Sequence, residues 1–105
     1  MSHSSVTSVF GTIPGPAVLL DASARIAEIN AAAQAVLALS RADVLGTLIT
    51  AHCGQQGTID LLTAMEDTRR RVELPRVHWK SAAPTSVALS RVQRGEKAYW
   101  ILLLD

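Results

Sequence analysis

The hydrophobic and polar positions near the start of the chain predict two short strands joined by a turn. Residues 17–20 form an apolar run that is too short for a helix of ordinary length. Residues 25–29 alternate between charged or small and apolar side chains, which is the pattern of a half-buried strand. Between the two segments lie Asp21 and Ser23, which favour turns. The pattern therefore predicts a strand, a turn and a second strand.

Helix signals follow the second strand directly. Asn30 can accept a hydrogen bond from a free helix amide, and the alanine-rich segment after it has high helix propensity. Ser40, three residues before Asp43, resembles a capping box at the start of a second helix. Gly46 readily adopts the left-handed conformation that ends a helix. We therefore expect two short helices between residues 30 and 46.

A longer helix is predicted from residue 59 to residue 70, with Thr58 as its N-cap. Its large apolar side chains recur at helical spacing and define the face that we expect to be buried. They are Ile59, Leu62 and Met65, with Leu61 beside them. Glu66 and Arg70 are one turn apart and would form a favourable pair on this helix.

The C-terminal third of the chain has the pattern of three strands. Residues 71–79 alternate, and the alternation changes phase at Pro75, which indicates a bulge or an edge strand. A second alternation contains Val87 and Leu89, and residues 99–104 are apolar on both faces. Because the loops are short, the three strands should be adjacent and antiparallel. With the first two strands they predict an α+β fold, in which a five-stranded antiparallel sheet carries helices on one face.

The N-terminal half of this pattern resembles a PAS domain, a small sensor module of bacterial signalling proteins. The matching features are a strand that ends at Asp21, a strand that ends at Ile29 and Asn30, a helix of small residues, and the segment from Ser40 to Gly46. Beyond that segment the resemblance is an order of elements rather than of residues.

The resemblance implies a strand order, a role and partners. The strand order would be 2-1-5-4-3 in a PAS-like sensor domain of residues 16–105, preceded by a lead-in segment of residues 1–15. The role would be regulatory and non-catalytic, in a signal-transduction protein such as a two-component histidine kinase, with an output domain after Asp105. The alternative is a ligand-free interaction or dimerisation module of a transcriptional regulator or another signalling protein.

Composition supports a single globular domain and argues against several partners. The 105 residues are 49% hydrophobic and 18% charged, which excludes a disordered chain. The net charge of +1 gives no reason to expect a nucleic-acid partner. The single cysteine fits a reducing compartment. Without a signal peptide or an apolar run of membrane-spanning length, we expect a cytoplasmic domain that makes no membrane contact.

The residues that could carry chemistry indicate neither an enzyme nor a tightly held cofactor. Cys53 lacks the arginine, phenylalanine and leucine that follow the reactive cysteine of flavin-binding light-oxygen-voltage domains, a subclass of PAS domains. The predicted long helix has no histidine, whereas haem-binding PAS domains usually place their ligand there. His3, His52 and His78 are too dispersed for a metal site. We therefore predict no catalytic residues, no metal, no flavin and no haem.

Two features indicate where a ligand or partner could bind. The apolar side chains expected to lie between the predicted long helix and the sheet would line a pocket for a small apolar ligand, or fill that space themselves. They are Leu62, Met65, Leu74, Val87, Leu89 and Leu102. The last strand leaves large side chains on the other face too, so we expect a homodimer through that face. The apolar residues of the lead-in could cover part of it, namely Val6, Val9, Phe10 and Ile13.

Overall fold

The computed structural model describes residues 10–67 and 69–105, which form an α+β fold as predicted. The strands are β1 (Ala17–Asp21), β2 (Ile26–Ile29), β3 (Arg71–Val77), β4 (Thr85–Arg94) and β5 (Lys97–Leu104). Between β2 and β3 lie α1 (Ala31–Leu37), α2 (Arg41–Val44), a 3₁₀ helix (Ile49–His52) and α3 (Gln55–Glu66). Phe10 and Gly11 are also helical.

The strands form one five-stranded antiparallel sheet in the order β2-β1-β5-β4-β3, as the resemblance implied. β5 is central, and its Leu102 lies opposite Leu89 of β4. β3 is an edge strand whose pairing with β4 shifts register between Leu74 and Val77. Pro75 lies in that interval and has no amide hydrogen for the ladder. The predicted bulge at the edge of the sheet is therefore confirmed.

Two polar side chains set the first turns in the predicted way. Asp21 Oδ1 accepts hydrogen bonds from the amides of Ser23 and Arg25, at 2.9 and 3.0 Å, which closes the turn between β1 and β2. Asn30 is the N-cap of α1, and its Oδ1 accepts a hydrogen bond from the amide of Ala33. Each contact joins residues no more than four positions apart, so the sequence pattern could predict it.

The start of α2 is stabilised differently from the prediction. Ser40 is the N-cap residue, but its side chain makes no capping hydrogen bond. The amide of Arg41 donates instead to Oε1 of Gln34, a residue of α1, at 3.0 Å. The capping-box prediction is therefore wrong, because a side chain from the preceding helix bonds a free amide of α2. Gly46, with a φ of +81°, follows this helix in the left-handed conformation that was predicted.

Helix α3 begins earlier than predicted. Its N-cap is Gly54 rather than Thr58, and the amide of Gly54 donates to the backbone oxygen of His78 at 2.8 Å. A Cβ at Gly57 would collide with that same carbonyl oxygen. The start of α3 is thus fixed by a backbone contact with the segment after β3, which no local helix signal encodes.

The buried face of α3 also differs from the predicted one. Its buried residues are Gly57, Leu61 and Ala64. Ile59 and Leu62, from the predicted apolar stripe, are 51% and 46% exposed, and Met65 is half-buried. Leu61, which was predicted beside the stripe, is fully buried as expected. The close approach of α3 to the backbone of His78 requires a glycine at position 57, and Ile59 and Leu62 are turned toward solvent.

The end of α3 removes a predicted ion pair. The helix ends at Glu66, so Arg70 is not one helical turn beyond it. Among the described residues, Glu66 and Arg70 do not form an ion pair. The neighbouring Arg69 pairs with Asp67, at 2.8 Å.

The main core lies between the helices and one face of the sheet, called here the inner face. From the set predicted to share this core, Val72, Val87, Leu89 and Leu102 are members. Leu74 and Met65 pack against it and are half-buried. Leu62 lies outside the core because the observed α3 turns this side chain toward solvent. The prediction that Leu62 belongs to the core is therefore wrong.

Candidate interaction surface

The face of the sheet that points away from the helices, called here the outer face, is apolar along its centre. Trp100, Leu102 and Leu104 of β5 are buried on the inner face. The alternate residues of β5 therefore lie on the outer face, together with the residues opposite them in β1 and β4. The outer-face residues of these three strands include Ala17, Leu19, Tyr99, Ile101, Leu103, Ala88, Ser90 and Val92, and Asp21 lies opposite Tyr99 at the end of β1.

The lead-in segment covers part of the outer face, as predicted. Phe10 is 2% exposed and forms a second hydrophobic cluster with Ala17 and Leu19 of β1. Ile13 packs against the same cluster. The expected contributions of Val6 and Val9 lie outside the described residues. The β5 side chains Tyr99, Ile101 and Leu103 also border this cluster but are only half-buried.

Asn30 joins the lead-in to the sheet and to α1. Besides capping α1, its Oδ1 accepts a hydrogen bond from the buried amide of Ala17 at 3.0 Å, and its Nδ2 donates to the carbonyl of Gly15 at 2.7 Å. The sequence indicated only the cap. The other two bonds connect residues 13 and 15 positions away, so they depend on the fold.

The segments that lead into and out of the sheet lie side by side. The amide of Leu104, at the end of β5, donates to the carbonyl of Pro16 at 3.0 Å. The amide of Asp105 donates to Ser86 at 3.1 Å and so extends the pairing with β4. A movement of the outer face would therefore act on the lead-in and on the last residues of β5 together.

Several similar solved structures are PAS domains. The PAS domain of a two-component sensor histidine kinase has a TM-score of 0.74 at 9% identity, over 98% of this chain and 94% of that one. The PAS domain of nitrogen regulation protein NR(II) from Vibrio parahaemolyticus has a TM-score of 0.65 at 11% identity, over 95% of both chains. The PAS domain of the fruit-fly ELK potassium channel has a TM-score of 0.68 at 13% identity, over 100% and 96%.

The chain has the PAS fold. Neither a protein-family model nor a curated relative matches the sequence. The structural likeness therefore carries the recognition of the fold, and it extends over nearly the whole chain.

The six residues predicted to line a pocket in this PAS fold do not surround one cavity. Leu62 and Met65 line a surface depression of about 330 Å³ beside Trp100. Leu74 and Val87 line another, of about 550 Å³, near the end of β5. Leu89 and Leu102 have no exposed surface and belong to the core. The orientation of α3 explains the separation, because it places Leu62 at the surface and not in the predicted core position.

Cys53 is an ordinary buried thiol of the PAS fold, as predicted. It is 1% exposed, and its Sγ donates a hydrogen bond to the carbonyl of Ile49 at 3.4 Å. Burial raises the pKa of the thiol to about 12, and the positive charge of Lys80 only partly opposes this effect. The thiolate, which is the nucleophilic form, is therefore scarce at neutral pH.

His52 has a structural hydrogen bond whose direction can be assigned. Its Nε2 lies 2.8 Å from Thr47 Oγ1, and that hydroxyl donates its hydrogen to the carbonyl of Val44 at 2.6 Å. His52 Nε2 must therefore donate to Thr47. Burial lowers the pKa of His52, and the charge of Lys80 lowers it further.

The described ranges show neither a metal site nor a membrane span. Within residues 10–67 and 69–105, no group of three or more His, Cys, Asp or Glu side chains could hold a metal ion. No helix in this part of the chain has the length and apolar character needed to cross a membrane.

Proposed function

We propose that this PAS domain is a regulatory, non-catalytic module of a cytoplasmic signal-transduction protein such as a two-component histidine kinase, and that it forms a homodimer through its outer face. The observation that carries the proposal is the row of half-buried Tyr99, Ile101 and Leu103 on the central strand. Apolar side chains gathered on one exposed face are typical of an interaction surface.

The positions of the chain ends support a role in transmitting a signal. Leu104 is hydrogen bonded to Pro16, so the segments before and after the sheet meet beside the proposed interface. In a two-fold dimer the same surface of both subunits takes part. A change in the packing of the outer face would then reach both exits, and through them paired output domains.

The packing of the inner face supports a domain without flavin or haem. Leu89 and Leu102 fill the space beneath the helices, and α3 contains no histidine. Cys53 and His52 make structural hydrogen bonds and are not arranged as a nucleophile and its base. The similar PAS domains include one from a histidine kinase and one from an ion channel, so the fold alone does not identify the parent protein. A histidine kinase is the parent that we propose.

Light scattering after size exclusion, over a range of concentrations, tests the dimer. We expect the wild type to dimerise, and Ile101→Glu and Leu103→Glu to be monomeric, because a carboxylate would lose its hydration in the interface. Ile59→Glu is the matched control: it places the same charge at an exposed apolar position on α3 and should leave the dimer intact. A monomeric wild type at high micromolar concentration would exclude the proposal. A dimer unaffected by both outer-face changes would place the interface elsewhere.

A further inference from the structure

Two arginine residues, one just before β3 and one within β4, lie opposite each other. The amide of Arg91 donates to the backbone oxygen of Arg70 at 2.8 Å, which continues the pairing of Arg71 with Ser90. Arg70 and Arg91 line the same surface hollow. Within the described ranges, neither has a carboxylate partner. Like charges at opposite positions in a sheet are destabilising, so an anion between them would be stabilising.

Arg91 also borders an apolar depression on the inner-face side. Its guanidinium lies 5.6 Å from the centre of the Trp100 ring. Leu62 and Met65 of α3 and Ala24 of the β1–β2 turn line the same depression, whose volume is about 330 Å³. Ligand sites in proteins typically have volumes of about 300–1,000 Å³ and combine apolar walls with a few polar groups.

The charges around this depression favour an anion. Glu66, the last residue of α3, lies on its rim and belongs to none of the ion pairs among the described residues. Arg91 lines both this depression and the neighbouring hollow that contains Arg70, so across the two hollows together two guanidinium groups face one carboxylate. A guanidinium that stacks on an aromatic ring keeps its N–H groups at its edge, where they can bind a carboxylate with two parallel hydrogen bonds.

We propose that this depression binds a small organic acid. The carboxylate would bind Arg91, with Arg70 adding positive charge, and the apolar body would lie against Leu62, Met65 and Trp100. The site goes beyond the proposed dimerisation, because Trp100 is on the inner-face side of the sheet and the proposed interface is on the outer face. Binding and dimerisation can therefore fail independently.

Nuclear magnetic resonance titration tests the site directly. The probes are benzoate, phenylacetate and hexanoate, each compared with its uncharged amide. The indole N–H signal of Trp100 should shift and saturate with a dissociation constant of about 10 mM or tighter, which is reasonable for ligands of this size. The signal of Trp79, buried near Thr85, is the internal control. Each acid should bind about 3- to 10-fold more tightly than its amide, the range expected for a partly exposed ion pair.

Charge variants of opposite expected effect complete the test. Arg91→Gln and Arg70→Gln should weaken binding of the acids, whereas Glu66→Gln should strengthen it. Arg76→Gln makes the same change of charge at an exposed residue of β3 that lines neither hollow, and should not alter binding. Well-dispersed amide spectra would show that each variant is folded.

Three results would overturn the proposal. The first is no saturable shift of Trp100 with any of the acids. The second is equal affinity for acids and amides. The third is equal effects of Arg91→Gln and Arg76→Gln.

Discussion

Replacing Asn30 with alanine should destabilise the domain more than a lost helix cap alone would. The change removes the acceptor for two amides, those of Ala17 and Ala33, and the donor to the carbonyl of Gly15. Loss of an N-cap costs about 0.5–2 kcal/mol. Ala17 is fully buried, and leaving its amide without a partner costs about 1–3 kcal/mol. Gly15 is only half-buried, so water can replace the lost donor to its carbonyl, and we expect a total loss of about 2–4 kcal/mol.

Asn30→Asp is the matched control, because it keeps the oxygen that accepts from Ala17 and Ala33 and replaces the donor to Gly15 with a second oxygen, which faces the Gly15 carbonyl. The negative charge at the start of α1 is favourable and opposes that repulsion, so the loss should be smaller than that of the alanine variant. Urea unfolding followed by tryptophan fluorescence measures both losses, and hydrogen exchange should show faster exchange at Ala17 and Ala33 in the alanine variant alone. Equal losses for the two variants, or a loss below about 0.5 kcal/mol for alanine, would refute the reasoning.

Three further predictions concern the region around α3. Gly57→Ala should lower the free energy of unfolding by about 1–3 kcal/mol or more, since the new Cβ would collide with the His78 carbonyl. Gly15→Ala is the control and should change stability little, because the space around its Cβ is open. Urea unfolding compares the two variants. The fold lowers the pKa of His52 below 6.5, so near this pH the folded state binds fewer protons than the unfolded state. The contribution of His52 to the free energy of unfolding is therefore complete above pH 6.5 and is lost as the pH falls through the lowered pKa. His52→Gln should therefore reduce the pH dependence of the unfolding free energy in this range, and an unchanged dependence would contradict the assignment. Native Cys53 should resist alkylation at neutral pH and react once the chain unfolds; rapid labelling of the folded protein would disprove its burial.

The first half of the fold could be predicted because its signals are local. Asp21 forms its turn and Asn30 caps its helix through residues within four positions, and Gly46 acts through its own backbone angle. The outer face could be predicted as well, because a strand that is apolar at every position must place large side chains on both faces.

The start and orientation of α3 could not be predicted because a distant contact determines them. Gly54 and Gly57 pack against the backbone at His78, more than 20 positions along the chain. A search for large apolar side chains finds the buried Leu61 but also selects the exposed Leu62, because it overlooks a glycine in the buried face. The predicted pocket depended on Leu62 facing the sheet. Because α3 buries a different face, the predicted residues do not lie around one space.

The charged depression had no recognisable signal in the sequence either. Arg70 was assigned to the predicted helix, and only the pairing of β3 with β4 places it opposite Arg91. The stacking of Arg91 on Trp100 likewise depends on the register of β4 with β5.

Isotope-filtered nuclear Overhauser spectroscopy on a mixture of labelled and unlabelled protein tests the central claim, dimerisation through the outer face, most directly. We expect intersubunit contacts from the methyl groups of Ile101 and Leu103 to residues of the same face in the partner. Intersubunit contacts that involve Ile59 and the exposed side of α3, with none from Ile101 or Leu103, would contradict it.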